Sequence, residues 1–254
     1  MFPLSDENQT LRLPLVTAAI IAINAAIWIF VQGLGADRAL GTSVCQFGLI
    51  PADLLGIAEP GTHVQISRDL VCVIDGNSHP SAAITSMFMH GGWFHILGNM
   101  WFLWVFGDNV EDVMGRLRFA VFYLICGLAA AFAQIVTDPS SITPMVGASG
   151  AIGGVMGAYA FLFPRIRVNT FIFLGFYMTT VAIPAVFMLG YWFLLQLLGA
   201  LPALTQNSAG GVAFWAHIGG FLAGIVLVKL FVNDRYLAQH RRHTHRLVSR
   251  HRLW

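Results

Sequence analysis

Residues 147–165 read GASGAIGGVMGAYAFLFPR: Gly147-Ala148-Ser149-Gly150 opens an apolar run that stops at Phe163, Pro164 and Arg165. From Ser149 to Phe163 there is helix for only about 22 Å. Crossing roughly 30 Å of hydrocarbon takes about 20 residues. Pro164 and Arg165 fix the lower end at an interface, so the upper end stops short and Ser149 begins its helix below the opposite surface. The preceding loop, Asp138 to Pro144, must descend to meet it. Irregular backbone at that depth is tolerated only where it is buried in protein or lines a wet cavity.

The composition agrees with a membrane reading. Of 254 residues, 57% are hydrophobic and 10% charged, where soluble domains carry about 25% charge. Apolar segments lie at about 15–31, 93–107, 119–136, 149–163, 180–200 and 213–232, with no room for a large soluble domain beside them. The stretch 168–200 is too long for one span and too short for a helical hairpin. It is read as an interfacial piece, 168–178, followed by a span, 180–200, with Pro184 in the first turn, where proline is tolerated. Six spans place twelve of the 14 basic residues on one side, from Arg12 through Arg116, Arg165 and Lys229 to the tail Arg235–Arg252. The other side holds Arg38 and Arg68. The positive-inside rule then puts both termini in the cytoplasm, and a seven-span reading would strand the basic tail outside.

The fold class expected is therefore an all-α membrane protein of six transmembrane helices. A cytoplasmic N-terminus occupies 1–12, the helical unit 13–233 and a basic tail 234–254. The first span is read as uncleaved, because Asp6 and Glu7 precede it and no convincing cleavage site follows. The outer loop, about 32–86, is too long to be bare chain; Gly48-Leu49-Ile50-Pro51 and the following Ala52–Leu55 suggest a turn and a short amphipathic helix. Cys45 and Cys72 both fall in that loop, where an oxidising compartment permits a disulfide without requiring one. Cys126 reads as a small core hydrophobe. The tail reads as a solvated arm near anionic headgroups, in preference to a metal site built from His240, His243, His245 and His251.

Polar groups at membrane depth are expensive and need a reason. Ser149, Gly153 and Gly157 recur at i, i+4, i+8 on one face, and His217, Gly220 and Gly224 at i, i+3, i+7 on another. Small residues let membrane helices approach closely. If these faces meet, the serine hydroxyl and the imidazole come within hydrogen-bond reach, as a nucleophile and its base require. His95 and Asn99, four apart, share a face of the second span. They are suitable donors to the oxyanion of an acyl-transfer intermediate, together with the backbone N–H of Ser149. The plainer use of His95 and Asn99 is to tie the outer loop to the helix, and His90, nearer the helix entrance, is read as structural. A zinc centre is disfavoured: there is no His-Glu-x-x-His helix, and His90 and His95 are not on one face. No metal, cofactor or nucleic acid is expected.

Taken together, four motifs in order resemble the bacterial rhomboid family: His90-x4-His95-x3-Asn99, Gly107-x3-Glu111-x3-Gly115 followed by Arg116, Gly147-Ala148-Ser149-Gly150, and Ala216-His217-x2-Gly220-x3-Gly224. The resemblance implies a six-helix intramembrane serine protease of the inner membrane that cuts transmembrane protein substrates within lipid. It implies Ser149 as nucleophile and His217 as general base without a third acid. It also implies His95, Asn99 and the Ser149 amide as oxyanion hole, with His90 and Glu111 holding loops in place. The alternative is a catalytically inactive relative that binds transmembrane helices; such relatives usually lose the serine or the histidine, and both are present. Two features depart from the family pattern. Many relatives carry an aromatic residue four after the serine, where this chain has Gly153, so support for the His217 ring is expected from Trp215 or Phe214. The Trp-Arg pair of some members is not found in the first outer loop.

Overall fold

The computed structural model describes residues 1–67, 70–76, 79–175, 177–205 and 212–251. Each predicted apolar segment contributes one helix: α1 (Leu15–Phe30), α5 (Trp93–Met114), α6 (Arg116–Thr137), α7 (Ser149–Leu162), α8 (Ala185–Thr205) and α9 (Phe214–Phe231). The outer loop holds α2 (Asp37–Phe47), α3 (Pro51–Leu54) and α4 (Ala82–Thr85), with α10 (Asp234–His251) following α9. Among the described residues, α6 and α9 are long and apolar enough, by length and composition, to cross a bilayer.

The short helix α7 is the hub. Gly150 to Tyr159 are all buried, and α5, α6, α8 and α9 surround it. Glycine costs a helix about 1 kcal/mol per residue relative to alanine, so the run 150–157 needs compensation, and packing supplies it. A methyl group on Gly220 or Gly224 of α9 would stand 2.0 Å from the carbonyl oxygen of Gly150 or Gly154. The two helices therefore meet backbone on backbone. Side chains on the outer faces, including Leu117, Phe132, Phe187, Val226 and Leu230, are apolar and exposed, which suits a lipid solvent.

The loop that precedes Ser149 is pinned by the segment between α1 and α5. Leu49 and Met145 exchange both backbone hydrogen bonds, at 3.0 and 2.8 Å, and Gly147 N–H donates to Ser86 O at 2.9 Å. The strands β2 (His63–Ser67) and β3 (Leu70–Val73) pair as an antiparallel hairpin. A disulfide joins Cys45 of α2 to Cys72 of β3, with Cα atoms 5.6 Å apart. Of the two states left open by the sequence, the structure has the bonded one. The amphipathic helix expected after Pro51 is a single turn, α3.

Three expectations are corrected. The chain is mostly helical but not all-α: β1 (Phe2–Asp6), β4 (Arg167–Leu174) and β5 (Tyr177–Pro184) form a second, three-stranded antiparallel sheet in the order β1-β4-β5. Residues 167–174 and 177–184 thus pair as strands, so the expected span 180–200 begins as strand and not as a helical turn. Val168, Thr170, Thr179, Thr180, Val181 and Ile183 are β-branched, which favours strand over helix. Pro184 ends β5, and the helix starts after it, at Ala185. The N-terminal segment is an ordered strand along α5: Trp101 Nε1–H donates to Pro3 O at 2.6 Å, and Asn109 Nδ2–H to Asp6 Oδ2 at 3.0 Å.

The tail is also no loose arm. His240 is buried, with Nδ1 2.6 Å from Asp112 Oδ2 and Nε2 2.8 Å from Asn8 Oδ1. Both ring nitrogens are thus engaged by Asp112 and Asn8. No group of three His, Cys, Asp or Glu among the described residues is placed to hold one. The side chains of His245 and His251, and residues Arg68 and Arg252, lie outside what the structure describes.

Candidate active site

Ser149 is the first residue of α7. Its amide therefore belongs to the first turn, whose N–H groups have no acceptor inside the helix. Gly147, two residues earlier, has φ +124°, and a Cβ there would lie 2.6 Å from His95 Nε2. The residue must be glycine both for the backbone conformation and for the space the His95 ring occupies.

The α7–α9 glycine contact brings the two halves of the pair together. His217 Nε2 lies 2.7 Å from Ser149 Oγ. Both residues are half-buried and line one cavity of about 530 Å³, with Phe94, His95, Asn99, Gly147 and Trp192 also in its wall. A smaller cavity of about 180 Å³ shares His95, Met145 and Val146 with the first and is lined by the polar Gln134, Asp138, Ser141 and Thr143.

The predicted donors face the same space. Gly91 N–H donates to His95 Nδ1 at 3.2 Å, which leaves the proton of a neutral ring on Nε2, the atom beside Gly147. Asn99 is buried, and its Nδ2 has no hydrogen-bond partner among the described residues. A buried amide donor without an acceptor costs about 1–3 kcal/mol, and such an orphan at a cavity wall is suited to receive an oxygen from a bound molecule.

The remaining predicted residues stand outside the reacting pair. His90 is fully buried and packs edge-on against the His95 ring, with centroids 5.1 Å apart. Its backbone is held by Gln32, which accepts from His90 N–H at 2.9 Å and donates to His90 O at 2.8 Å. Glu111 closes the start of α1 at the other end of α5. Gly153, Gly157, Gly220 and Gly224 all lie in the α7–α9 contact.

The expected support for the His217 ring from Trp215 or Phe214 is corrected. Phe214 packs on Gly199, and Trp215 lines the smaller cavity. Trp192 of α8 lies against the imidazole instead, with centroids 5.8 Å apart and planes 40° apart. Its ring tip is 3.8 Å from where a Cβ at Gly153 would be. The place of the missing aromatic is thus filled from the neighbouring helix. One turn on, Gln196 Oε1 lies 2.8 Å from His217 Nδ1. Sequence reasoning missed both residues, although a glutamine inside an apolar segment carries the same signal that singled out Ser149 and Asn99.

A family model described as the rhomboid domain matches residues 77–234, more than half of the chain. The chain belongs to the rhomboid family. It is a membrane protein of that family, and the match spans all four motifs. Rhomboid protein 1, mitochondrial, of Saccharomyces cerevisiae is 28% identical over 153 residues, 56% of this chain and 39% of that protein. RHOMBOID-like protein 5 of Arabidopsis thaliana is 29% identical over 144 residues, 57% of this chain and 41% of that protein. YdcA of Bacillus subtilis, named as a candidate rhomboid protease, is 29% identical over 166 residues, 64% of this chain and 70% of that protein. The rhomboid chain therefore spans about two fifths of the first two relatives' length.

Proposed function

We propose that this rhomboid is an intramembrane serine endopeptidase that cleaves transmembrane segments of other membrane proteins. The observation that carries the reading is the 2.7 Å approach of Ser149 Oγ to His217 Nε2 at the wall of a cavity. In this reading α1, α5, α6, α7, α8 and α9 all cross the bilayer, as one unit over 13–233. Both termini face the cytoplasm and the membrane is the inner one. The charge asymmetry of the sequence supports that orientation, and the Cys45–Cys72 disulfide suits an outer loop in an oxidising compartment.

A substrate helix unwinds locally and enters the larger cavity. Ser149 Oγ attacks the scissile carbonyl carbon while its proton passes to His217 Nε2. The carbonyl oxygen becomes an oxyanion, met by Asn99 Nδ2–H, His95 Nε2–H and the Ser149 amide. The C–N bond then breaks, and the imidazolium returns its proton to the leaving amine, which leaves an acyl-enzyme ester on Ser149. Water reaching the ester through the polar smaller cavity gives a proton to His217 and attacks the ester carbon; the C–Oγ bond breaks, the imidazolium returns the proton to Ser149 Oγ, and the carboxyl product leaves. No cofactor enters any step.

The test is cleavage of a transmembrane substrate by the purified full-length chain in liposomes. The wild type is expected to cut, and Ser149→Ala and His217→Ala are expected to stay folded and fail. Cleavage retained by Ser149→Ala would reject the mechanism.

A further inference from the structure

A histidine that accepts a serine proton at Nε2 must hold its own proton on Nδ1. In a lipid-embedded site with no carboxylate partner, something else has to set that tautomer. Gln196 sits one helical turn after Trp192 on α8, is 9% exposed, and places Oε1 2.8 Å from His217 Nδ1. A side-chain amide can present either its oxygen or its nitrogen to a neighbour, and its other contacts decide which. The deciding contact is on the same helix: Gln196 Nε2 donates to the Trp192 carbonyl at 3.1 Å. That bond consumes the amide's donor end and leaves Oε1, an acceptor only, facing the imidazole. Nδ1 must then be the donor, and Nε2 keeps its lone pair for the Ser149 hydroxyl. The chain of bonds has one consistent direction: Ser149 O–H to His217 Nε2, His217 Nδ1–H to Gln196 Oε1, Gln196 N–H to Trp192 O.

From this we infer that Gln196 is a positioning residue of the reaction, fixing the His217 tautomer and ring plane as a neutral third member, with Trp192 holding the ring's face. Two residues at i and i+4 of one helix grip one imidazole from two directions, face and edge. The glutamine carries no charge, which spares the site the cost of a buried carboxylate in a low-dielectric surround. It also stabilises the imidazolium through the Oε1 dipole once the proton has moved. The role rests on the proposed serine protease reading, but the tautomer itself is a property of the resting protein and can be read without any turnover.

The experiment uses the full-length chain in liposomes with 15N-labelled histidine, assigned by loss of the His217 signal in His217→Ala. The wild-type spectrum is expected to show His217 protonated at Nδ1 and unprotonated at Nε2. Gln196→Met keeps length and apolar bulk but has no amide acceptor. It is expected to turn the single tautomer into a mixture and to lower kcat about 10–100-fold, part of the roughly 10²–10⁴ that a positioned general base supplies. KM should stay within about twofold, because the substrate-binding surface is untouched. Gln196→Glu restores an acceptor oxygen and should recover the Nδ1-protonated form and most of kcat. A wild-type ring protonated at Nε2 would overturn the inference, as would Gln196→Met with tautomer and kcat unchanged. If Gln196→Met does not fold, the wild-type and Gln196→Glu spectra decide. A wild type that never cleaves would instead count against the protease reading, and the spectra would still decide the tautomer.

Discussion

Glu111 of α5 closes the N-terminus of α1: its Oε1 accepts from Val16 N–H at 3.0 Å, and its Oε2 from Thr17 N–H and Oγ1–H, both at 2.8 Å. A carboxylate there satisfies two otherwise orphaned amides and meets the positive end of the helix dipole. Glu111→Ala leaves both amides buried without a partner and is expected to destabilise by about 2–4 kcal/mol. Glu111→Gln keeps the acceptor oxygen but loses the charge and should cost less. Thermal unfolding of the two variants in detergent checks the order, and the active pair should be unaffected in whatever fraction remains folded.

Asn99 has a buried donor without a partner among the described residues, and in the proposed mechanism its acceptor is the oxyanion. Asn99→Ala is therefore expected to lower kcat about 10²–10³-fold with little change in KM, the size seen for loss of a single oxyanion donor. Residual cleavage should persist, because His95 and the Ser149 amide remain. Steady-state kinetics on one transmembrane substrate separates this from a binding defect, which would raise KM at constant kcat.

The glycine contact between α7 and α9 makes a graded series. A methyl at Gly224 meets the Gly154 carbonyl oxygen at 2.0 Å, whereas one at Gly153 meets the nearest atom, the His217 carbonyl oxygen, at 3.2 Å. Gly224→Ala is expected to force the helices apart and reduce the yield of folded protein sharply. Gly153→Ala should fold, with a loss within about 1–3 kcal/mol, the usual cost of an overpacked core methyl. Equal stability for the two variants, measured by thermal unfolding, would contradict a backbone-on-backbone contact.

Asp6 in β1 accepts from the Tyr159 hydroxyl and from Asn109. Burial raises its carboxyl from 3.8 to about 6. The unfolded chain ionises this group first, so between pH 3.8 and about 6 the folded chain holds the extra proton and stability falls as pH rises. The loss is at most about 3 kcal/mol by linkage. Asp6→Asn is expected to remove this part of the slope. Melting temperatures of wild type and variant at pH 4 and pH 7 give the comparison.

Much of the helical frame was readable because membrane helices carry a strong signal: long apolar runs, ended by charge, with every backbone bond satisfied within the segment. The spacing of Ser149, Gly153 and Gly157 against His217, Gly220 and Gly224 went further and gave the helix pair that makes the site. The hairpin at 167–184 was less legible, because an apolar run of β-branched residues reads as either strand or helix by hydropathy alone. Its pairing with Phe2–Asp6 joins segments more than 160 residues apart. His240 was misjudged for a related reason: a basic tail looks solvated until Asp112 and Asn8, both distant in sequence, are seen to meet its ring. Gln196 and Trp192 lay within a predicted apolar segment, but their relation to His217 depends on which face of α8 turns towards α9, and a glutamine and a tryptophan four apart do not specify that.

The central claim is that Ser149 is a nucleophile activated by His217. Incubating the purified full-length chain with a serine-reactive fluorophosphonate and mapping the adduct by mass spectrometry tests it most directly. A single adduct on Ser149, absent from a folded His217→Ala variant, is the expected result. Adducts elsewhere with Ser149 untouched, or labelling of Ser149 undiminished by His217→Ala, would contradict it.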